Sequence, residues 1–231
     1  MKILRHSGTG VAGIFFPVGK PPEGTCQYAS DECIKNCYAL KKDYDERVNI
    51  PESEKKAILK YFMGNPIITV CSQIIKEMGE LQAIVLSWFT SGDCLDEDVN
   101  RIYQMMMLLQ EAGVVQNGFT RSKQLWQKLA DNQNLNYDIL RIILTVETLN
   151  ADGVVPRCGR DAPYAIWAVP DYDAGVVNLY QGRLGYQDSY GSCGFSGVRT
   201  HKFEGKEVEI ATNCLGCFKK KLGCFVDSKI G

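Results

Sequence analysis

Apolar and polar positions along this chain follow two spacings. Residues 11–18 (VAGIFFPV) and 83–89 (AIVLSWF) are continuous apolar runs of strand length, which suit strands buried on both faces. Pro17, Pro21 and Pro22, with Gly19 and Gly24, break the first run into a loop. Pro51 with acidic Glu52 and Glu54 marks a helix start. Ala57, Ile58, Tyr61 and Phe62 then recur at helical spacing, predicting a helix over 51–63, and a second is expected over 67–78. Val99, Ile102, Tyr103, Met106 and Leu109 form the apolar face of a helix over 96–112, in which the Met105, Met106 and Met107 triplet reads as core. A weaker strand covers 114–120, and Ser122 can cap a helix running to residue 130. Strands over 140–146 (LRIILTV), 164–169 and 176–180 complete the series.

Strand, loop and helix in repeating order predict an α/β fold, either a parallel sheet or an incomplete (β/α) barrel. In both, ligands gather at the C-terminal ends of the strands. That rule places Cys26, Cys33 and Cys37 after the first strand, and Ser91, Gly92 and Asp93 after the second. It adds Thr120, Arg121 and Ser122 after the third and Glu147 after the fourth. Taken alone, Ser91-Gly92-Asp93 reads as an ordinary turn with an acidic group near a helix start. Beside a three-cysteine loop, cofactor binding becomes the better reading.

The cysteines change the picture most. Ten in 231 residues fall below the density of a small disulfide scaffold, and the start MKILRHSGTG lacks an apolar secretory core. The expected setting is a reducing cytoplasm, where clustered thiols serve as metal ligands or catalytic groups. Cys26-x6-Cys33-x3-Cys37-Tyr38 offers three thiolates, the set that holds a [4Fe-4S] cluster while leaving one iron open to a small ligand. Near the C-terminus, Cys214-x2-Cys217-x6-Cys224 has the tight first pair of a metal knuckle, with Cys193 in a Gly-Ser-Cys-Gly turn as fourth ligand. Four thiolates suit a structural zinc ion or a second [4Fe-4S] cluster, and an electron-relay role favours the cluster. His201, between Cys193 and Cys214, reads as a surface residue. Cys71 reads as a small buried hydrophobe; Cys94, on the proposed rim, and Cys158, in a polar loop, are candidate functional thiols.

Charge and histidine content narrow the alternatives. A formal net charge of -1 gives no global attraction to nucleic acid, although Lys219, Lys220 and Lys221 beside Phe218 leave a local contact open. No apolar run approaches the ~20 residues that span a bilayer, so no membrane partner is expected. With His6 and His201 the only histidines, a nucleophile–histidine pair has few possible bases. The GVAG and GRLG glycines lack the strand–loop–helix setting of a nucleotide site. The contrasting class is a zinc-stabilised binding protein of a phage or mobile element, without catalysis.

The segment TCQYASDECIKNCYA, then TSGDC, then GFTRS resembles the phage gene product eighty-eight family, whose members carry a TC-x6-C-x3-CYA loop and a later SGDF-type motif. The resemblance covers most of residues 20–150 and departs at Cys94, where the family has Phe. More loosely, the arrangement is similar to radical S-adenosylmethionine enzymes. Their usual loop is Cys-x3-Cys-x2-Cys with an aromatic before the last cysteine, whereas here the spacings are six and three and Tyr38 follows. This looser resemblance implies a partial (β/α)6-type barrel with parallel strands, which the strand series places over residues 1–185, and the later cysteines mark a small cysteine-rich extension over 186–231. It implies that Cys26, Cys33 and Cys37 carry the cluster and that S-adenosylmethionine chelates the open iron. Ser91, Gly92 and Asp93 would hold the methionine amino group, and Arg121 its carboxylate, with Thr120, Ser122 and Glu147 as further polar contacts. A small-molecule or peptide-like substrate and an electron donor such as flavodoxin or ferredoxin complete the expectation, with Cys94 as the candidate catalytic thiol.

Overall fold

The structure is a computed structural model describing residues 1–40, 50–146, 166–171, 176–181, 188–194, 200–203 and 205–209, together with residues 173, 215, 218 and 219. Its centre is a run of five parallel strands in chain order, β2 (Val11–Phe15), β3 (Val85–Ser91), β4 (Val115–Thr120), β5 (Leu140–Thr145) and β6 (Ile166–Asp171). The apolar runs of the sequence fall on these strands because both faces of the sheet are covered. All five residues of β2 are buried.

The two flanks depart from the parallel pattern. β1 (Arg5–Gly8) pairs antiparallel with β2 across the two-residue Thr9-Gly10 turn, where Gly10 adopts φ 69°. At the other side β7 (Val176–Gln181) pairs antiparallel with β6, and β8 (Asp188–Gly194) with β7. The sequence predicts 176–180 as part of a parallel series, and the structure instead pairs it antiparallel. Only four residues separate Asp171 from Val176, too few for the crossover that a parallel partner requires. A two-stranded ribbon, β9 (Thr200–Phe203) with β10 (Lys206–Glu209), follows.

Helices connect the parallel strands from β2 to β5. α1 (Asp31–Lys35), α2 (Glu52–Gly64) and α3 (Ile67–Glu80) lie between β2 and β3, α4 (Val99–Glu111) between β3 and β4, and α5 (Lys123–Ala130) between β4 and β5. α3 packs on α4 and α4 on α5, so these helices form one layer in the same order as the strands they join. The core lies between this layer and one sheet face. Ala12, Ile14, Leu86, Trp88 and Leu140 from the strands meet Ile58, Phe62, Ile74, Ile102, Met105, Met106, Leu125 and Leu129 from the helices. Phe62 packs edge-on against both Phe16 and Trp88, at centroid distances of 5.3 and 6.3 Å. Trp88 Nε1 donates to Gln116 Oε1 (2.8 Å), and Gln116 Nε2 donates to the Met106 carbonyl (3.0 Å), which satisfies a fully buried amide. Gly118 lets β4 pass beside Trp88, whose carbonyl oxygen would lie 2.8 Å from an added Cβ.

The N-terminus is fixed by a buried carboxylate. Glu77, on α3, accepts from the backbone N–H groups of Ile3 (2.9 Å) and Leu4 (2.8 Å) and from Gln73 Nε2 (2.6 Å). This carboxylate does for residues 3 and 4 what a neighbouring strand would otherwise do. Glu77→Ala leaves two buried N–H groups without acceptors and is expected to destabilise the protein by about 2–4 kcal/mol in urea unfolding. An unchanged midpoint would show that the first residues detach freely.

Candidate functional site

The loop that follows β2 is held by the residues that end β3. Phe16 N donates to the Ser91 carbonyl (2.9 Å), and Ser91 Oγ donates to the Phe16 carbonyl (2.8 Å). Thr25 Oγ1 donates to the Pro17 carbonyl (3.0 Å) and accepts from Asp93 N (2.9 Å). A bulge precedes the turn: β2 advances two residues, from Gly13 to Phe15, while β3 advances four, from Ser87 to Ser91, with Phe89 in left-handed backbone at φ 52°. Gly92 then takes φ 74°, and an added Cβ would lie 2.6 Å from Thr25 Oγ1 and 2.7 Å from Phe16 Cβ. The close approach that demands glycine here is to the cysteine loop itself.

Asp93 is the hub. Oδ1 accepts from Cys94 N (2.7 Å) and Thr120 Oγ1 (2.6 Å), and Oδ2 accepts from Arg121 N (2.7 Å). The carboxylate thereby joins the end of β3 to the end of β4. Burial pushes its pKa up to about 6, against the lowering effect of these three donors and of the Arg121 charge. Ser122 caps α5, its Oγ accepting from Leu125 N (3.3 Å), and its own N–H donates to Thr120 Oγ1 (3.0 Å).

The three thiols sit on this support. Ser30 caps α1 by accepting from Cys33 N (3.0 Å), and Cys37 follows one helical turn later, its N–H donating to the Ile34 carbonyl (3.2 Å). Cys26, Cys33 and Cys37 are all half-buried and free of disulfides. Burial pushes the Cys26 thiol up to about 12, opposed by a backbone hydrogen bond and reinforced by Asp93, Cys37 and Cys33. Burial also raises Cys37, reinforced by Cys33, while nearby Lys55 acts the other way. Lys55 is a site residue that the sequence reading missed. It is buried on α2, paired with Glu52 (2.6 Å), and helical periodicity gave no reason to expect an ammonium beside the cysteine loop. Gln27 Nε2 (3.3 Å) and the Tyr28 hydroxyl both donate to Asp96, fastening the same loop to the turn before α4.

Cys26, Cys33, Cys37, Ser91, Gly92, Asp93, Thr120, Arg121 and Ser122 therefore gather at one edge of the sheet, at the C-terminal ends of β2, β3 and β4. Cys94 is buried in the helix-side core. Burial, with Asp93, Asp98 and Asp96 adding to it, raises its thiol strongly, so these surroundings favour a protonated core residue over a nucleophile. Cys71 is likewise buried, its Sγ 3.8 Å from the Met105 carbonyl. Cys193 lies in β8 opposite Val177. Glu147, Cys158, Cys214, Cys217 and Cys224 lie outside the described residues.

Among the described residues no group of three or more His, Cys, Asp or Glu side chains could hold a single metal ion as placed. A mononuclear thiolate site would need its sulfurs to converge within ~2.3 Å of one point. In a four-iron cluster each thiolate binds a different iron, so the ligands need no common point, and three half-buried thiols match that donor set in kind and number. Among the described residues no helix is long and apolar enough to cross a membrane. The geometry defines an α/β protein with a three-cysteine loop clamped to the C-terminal ends of its parallel strands. Compared with protein-family models, with curated proteins and with solved structures, the chain matches none.

Proposed function

We propose that this chain is an iron–sulfur enzyme that holds a [4Fe-4S] cluster on Cys26, Cys33 and Cys37 and uses it with S-adenosylmethionine for radical chemistry. The observation that carries this reading is the attachment of a three-thiol loop, through Thr25, Phe16 and Gly92, to the turn that ends the neighbouring parallel strand. The sequential order of β2 to β6 with one helix layer supports reading the fold as a partial (β/α) barrel, whose reacting groups sit at this rim. With such a cluster bound, reduction supplies cleavage of the S-adenosylmethionine sulfonium and a deoxyadenosyl radical.

The chain's own part is positioning. Burial raises the Cys26 and Cys37 thiols and so favours their protonated forms until a cation binds, while Lys55 favours the thiolate at Cys37. Asp93 already receives three donors, so its role is to fix the height of the cysteine loop over β4, leaving one acceptor position for a ligand ammonium. Ser91 and Gly92 belong to the same clamp, and Thr120 and Ser122 hold its far side. Arg121 brings a guanidinium to this rim and a fork suited to a carboxylate.

Anaerobic reconstitution with iron and sulfide is expected to give a brown protein that, under strong reductant, slowly releases 5'-deoxyadenosine and methionine from S-adenosylmethionine. A cluster whose electron paramagnetic resonance spectrum ignores S-adenosylmethionine, with no deoxyadenosine formed, would remove the radical assignment and leave an iron–sulfur protein.

A further inference from the structure

The sheet face away from the helices carries a buried polar pair to which the cysteine rim assigns no role. Leu140 and Ile142 of β5 pack with the helix-side core, and Gln116 of β4 reaches the α4 backbone, so alternation turns Arg141 and Asn117 to the opposite face. Register sets them side by side: Asn117 pairs with Arg141, Ser87 with Asn117, and Gly13 with Ser87. Position 13 is closed, because an added Cβ would lie 2.6 Å from Thr90 Oγ1 and 2.8 Å from Phe15 Cε2. Of the other three, Ser87 is half-buried, whereas Asn117 and Arg141 are only 1% and 4% exposed. Asn117 Oδ1 and Arg141 Nη1 are both buried with no hydrogen-bond partner among the described residues. The guanidinium is oriented by its Nε, which donates to the Tyr137 carbonyl, and none of the ion pairs among the described residues includes it.

Two orphaned groups of this kind, one a cation, on neighbouring strands are costly unless something binds them. Ile143 and Phe119, two residues further along each strand on the same face, add an apolar wall that strengthens any charge pairing there. The orphans are also complementary in kind: Nη1 needs an acceptor, and Oδ1 needs a donor.

We infer that Arg141 and Asn117 form a buried recognition site for a small oxyanion that carries a hydrogen-bond donor beside its charge. A phosphate group with its remaining P–OH has this character, and so does a 2-hydroxy carboxylate. The anionic oxygen accepts from Arg141 Nη1, and the neighbouring hydroxyl donates to Asn117 Oδ1. Asn117 is three residues before Thr120, so the site lies ~10 Å below the rim at the ordinary rise of a strand. That depth suits the fixed end of a substrate whose other end reaches the cysteine loop. The site stands on strand register alone and needs no cluster.

Isothermal titration and melting of the full chain, before iron loading, with inorganic phosphate in one arm and glycolate in the other, test the assignment. One of the two is expected to bind once per chain and raise the melting temperature, and the arm that responds identifies the oxyanion class. Arg141→Lys, which loses the fork, should weaken that binding by about tenfold or more. Asn117→Asp supplies an internal carboxylate beside the guanidinium, so it should abolish oxyanion binding while raising the melting temperature of the empty protein. No binding in either arm overturns the site. So does binding that survives Asn117→Asp, and so does a lowered melting temperature in that variant, which would mean that Arg141 already has a counter-ion within the chain. Iron reconstitution is scored separately, so either assignment can fail without the other.

Discussion

Asp93→Ala is expected to destabilise the protein by about 3–5 kcal/mol in urea unfolding, since two buried donors, Cys94 N and Thr120 Oγ1, and the half-buried Arg121 N would lose their acceptor. The conservative Asp93→Asn keeps an oxygen for part of this set and should fall between. The pH dependence separates burial from hydrogen bonding. The folded-state pKa is raised from 3.8 to about 6, so between these values the folded protein holds more protons at this position than the unfolded chain does. The contribution of Asp93 to stability therefore declines as pH rises from about 4 to about 6 and is level above that. Asp93→Asn should remove this slope. If Asp93→Ala melts like the parent protein and loses only its response to S-adenosylmethionine, Asp93 is a cofactor contact and the clamp is secondary.

The second large effect is complete loss of a chromophore. A variant with Cys26, Cys33 and Cys37 all replaced by Ala should incorporate about four fewer iron atoms per chain than the parent after anaerobic reconstitution, and it should release no deoxyadenosine. Because Cys33 lies in the short α1 and Cys26 and Cys37 in the loop around it, the sheet should keep its melting behaviour before iron is added. Equal iron in parent and variant, or a colourless parent that binds only zinc, would overturn the N-terminal cluster.

The sequence was most legible where burial is two-sided. AIVLSWF and LRIILTV read as parallel strands because, apart from the exposed Ile84 just before β3, their positions are buried or half-buried, and the helices between them kept ordinary periodicity. The first hairpin was less legible. RHSG has no apolar pattern, and only the Thr9-Gly10 pair marks its turn. The antiparallel turn from β6 to β7 lay in connection length, which is visible only once both strand ends are known. The rim residues could be placed together because the rule for strand ends is topological and needs no side-chain detail. Their roles were less accessible: Asp93 looked like a ligand group, but its partners are Thr120 and Arg121, remote in sequence. Lys55, Glu77 and Arg141 show the same limit. Each is a charged residue at a position where polarity suggests solvent, and each is buried; Glu77 meets the backbone of Ile3 and Leu4, more than 70 residues away, while among the described residues Lys55 and Arg141 bond only within a helical turn of themselves, to Glu52 and the Tyr137 carbonyl.

The strand order has a consequence for synthesis. Because β2, β3, β4, β5 and β6 stand in the sheet in the order in which they leave the ribosome, no late strand has to be threaded between two early ones, and the sheet can grow at one open edge as the chain lengthens. The cysteine loop is translated early, yet the clamp beneath it closes only when Thr120 and Arg121 have emerged and met Asp93. Iron that arrived on the nascent chain before then would meet three thiols at the end of a loose tether, open to oxidation and exchange. The seat of the proposed cluster becomes rigid only once β4 has been made, so loading would follow β4 in time even though Cys26, Cys33 and Cys37 precede β3 in sequence.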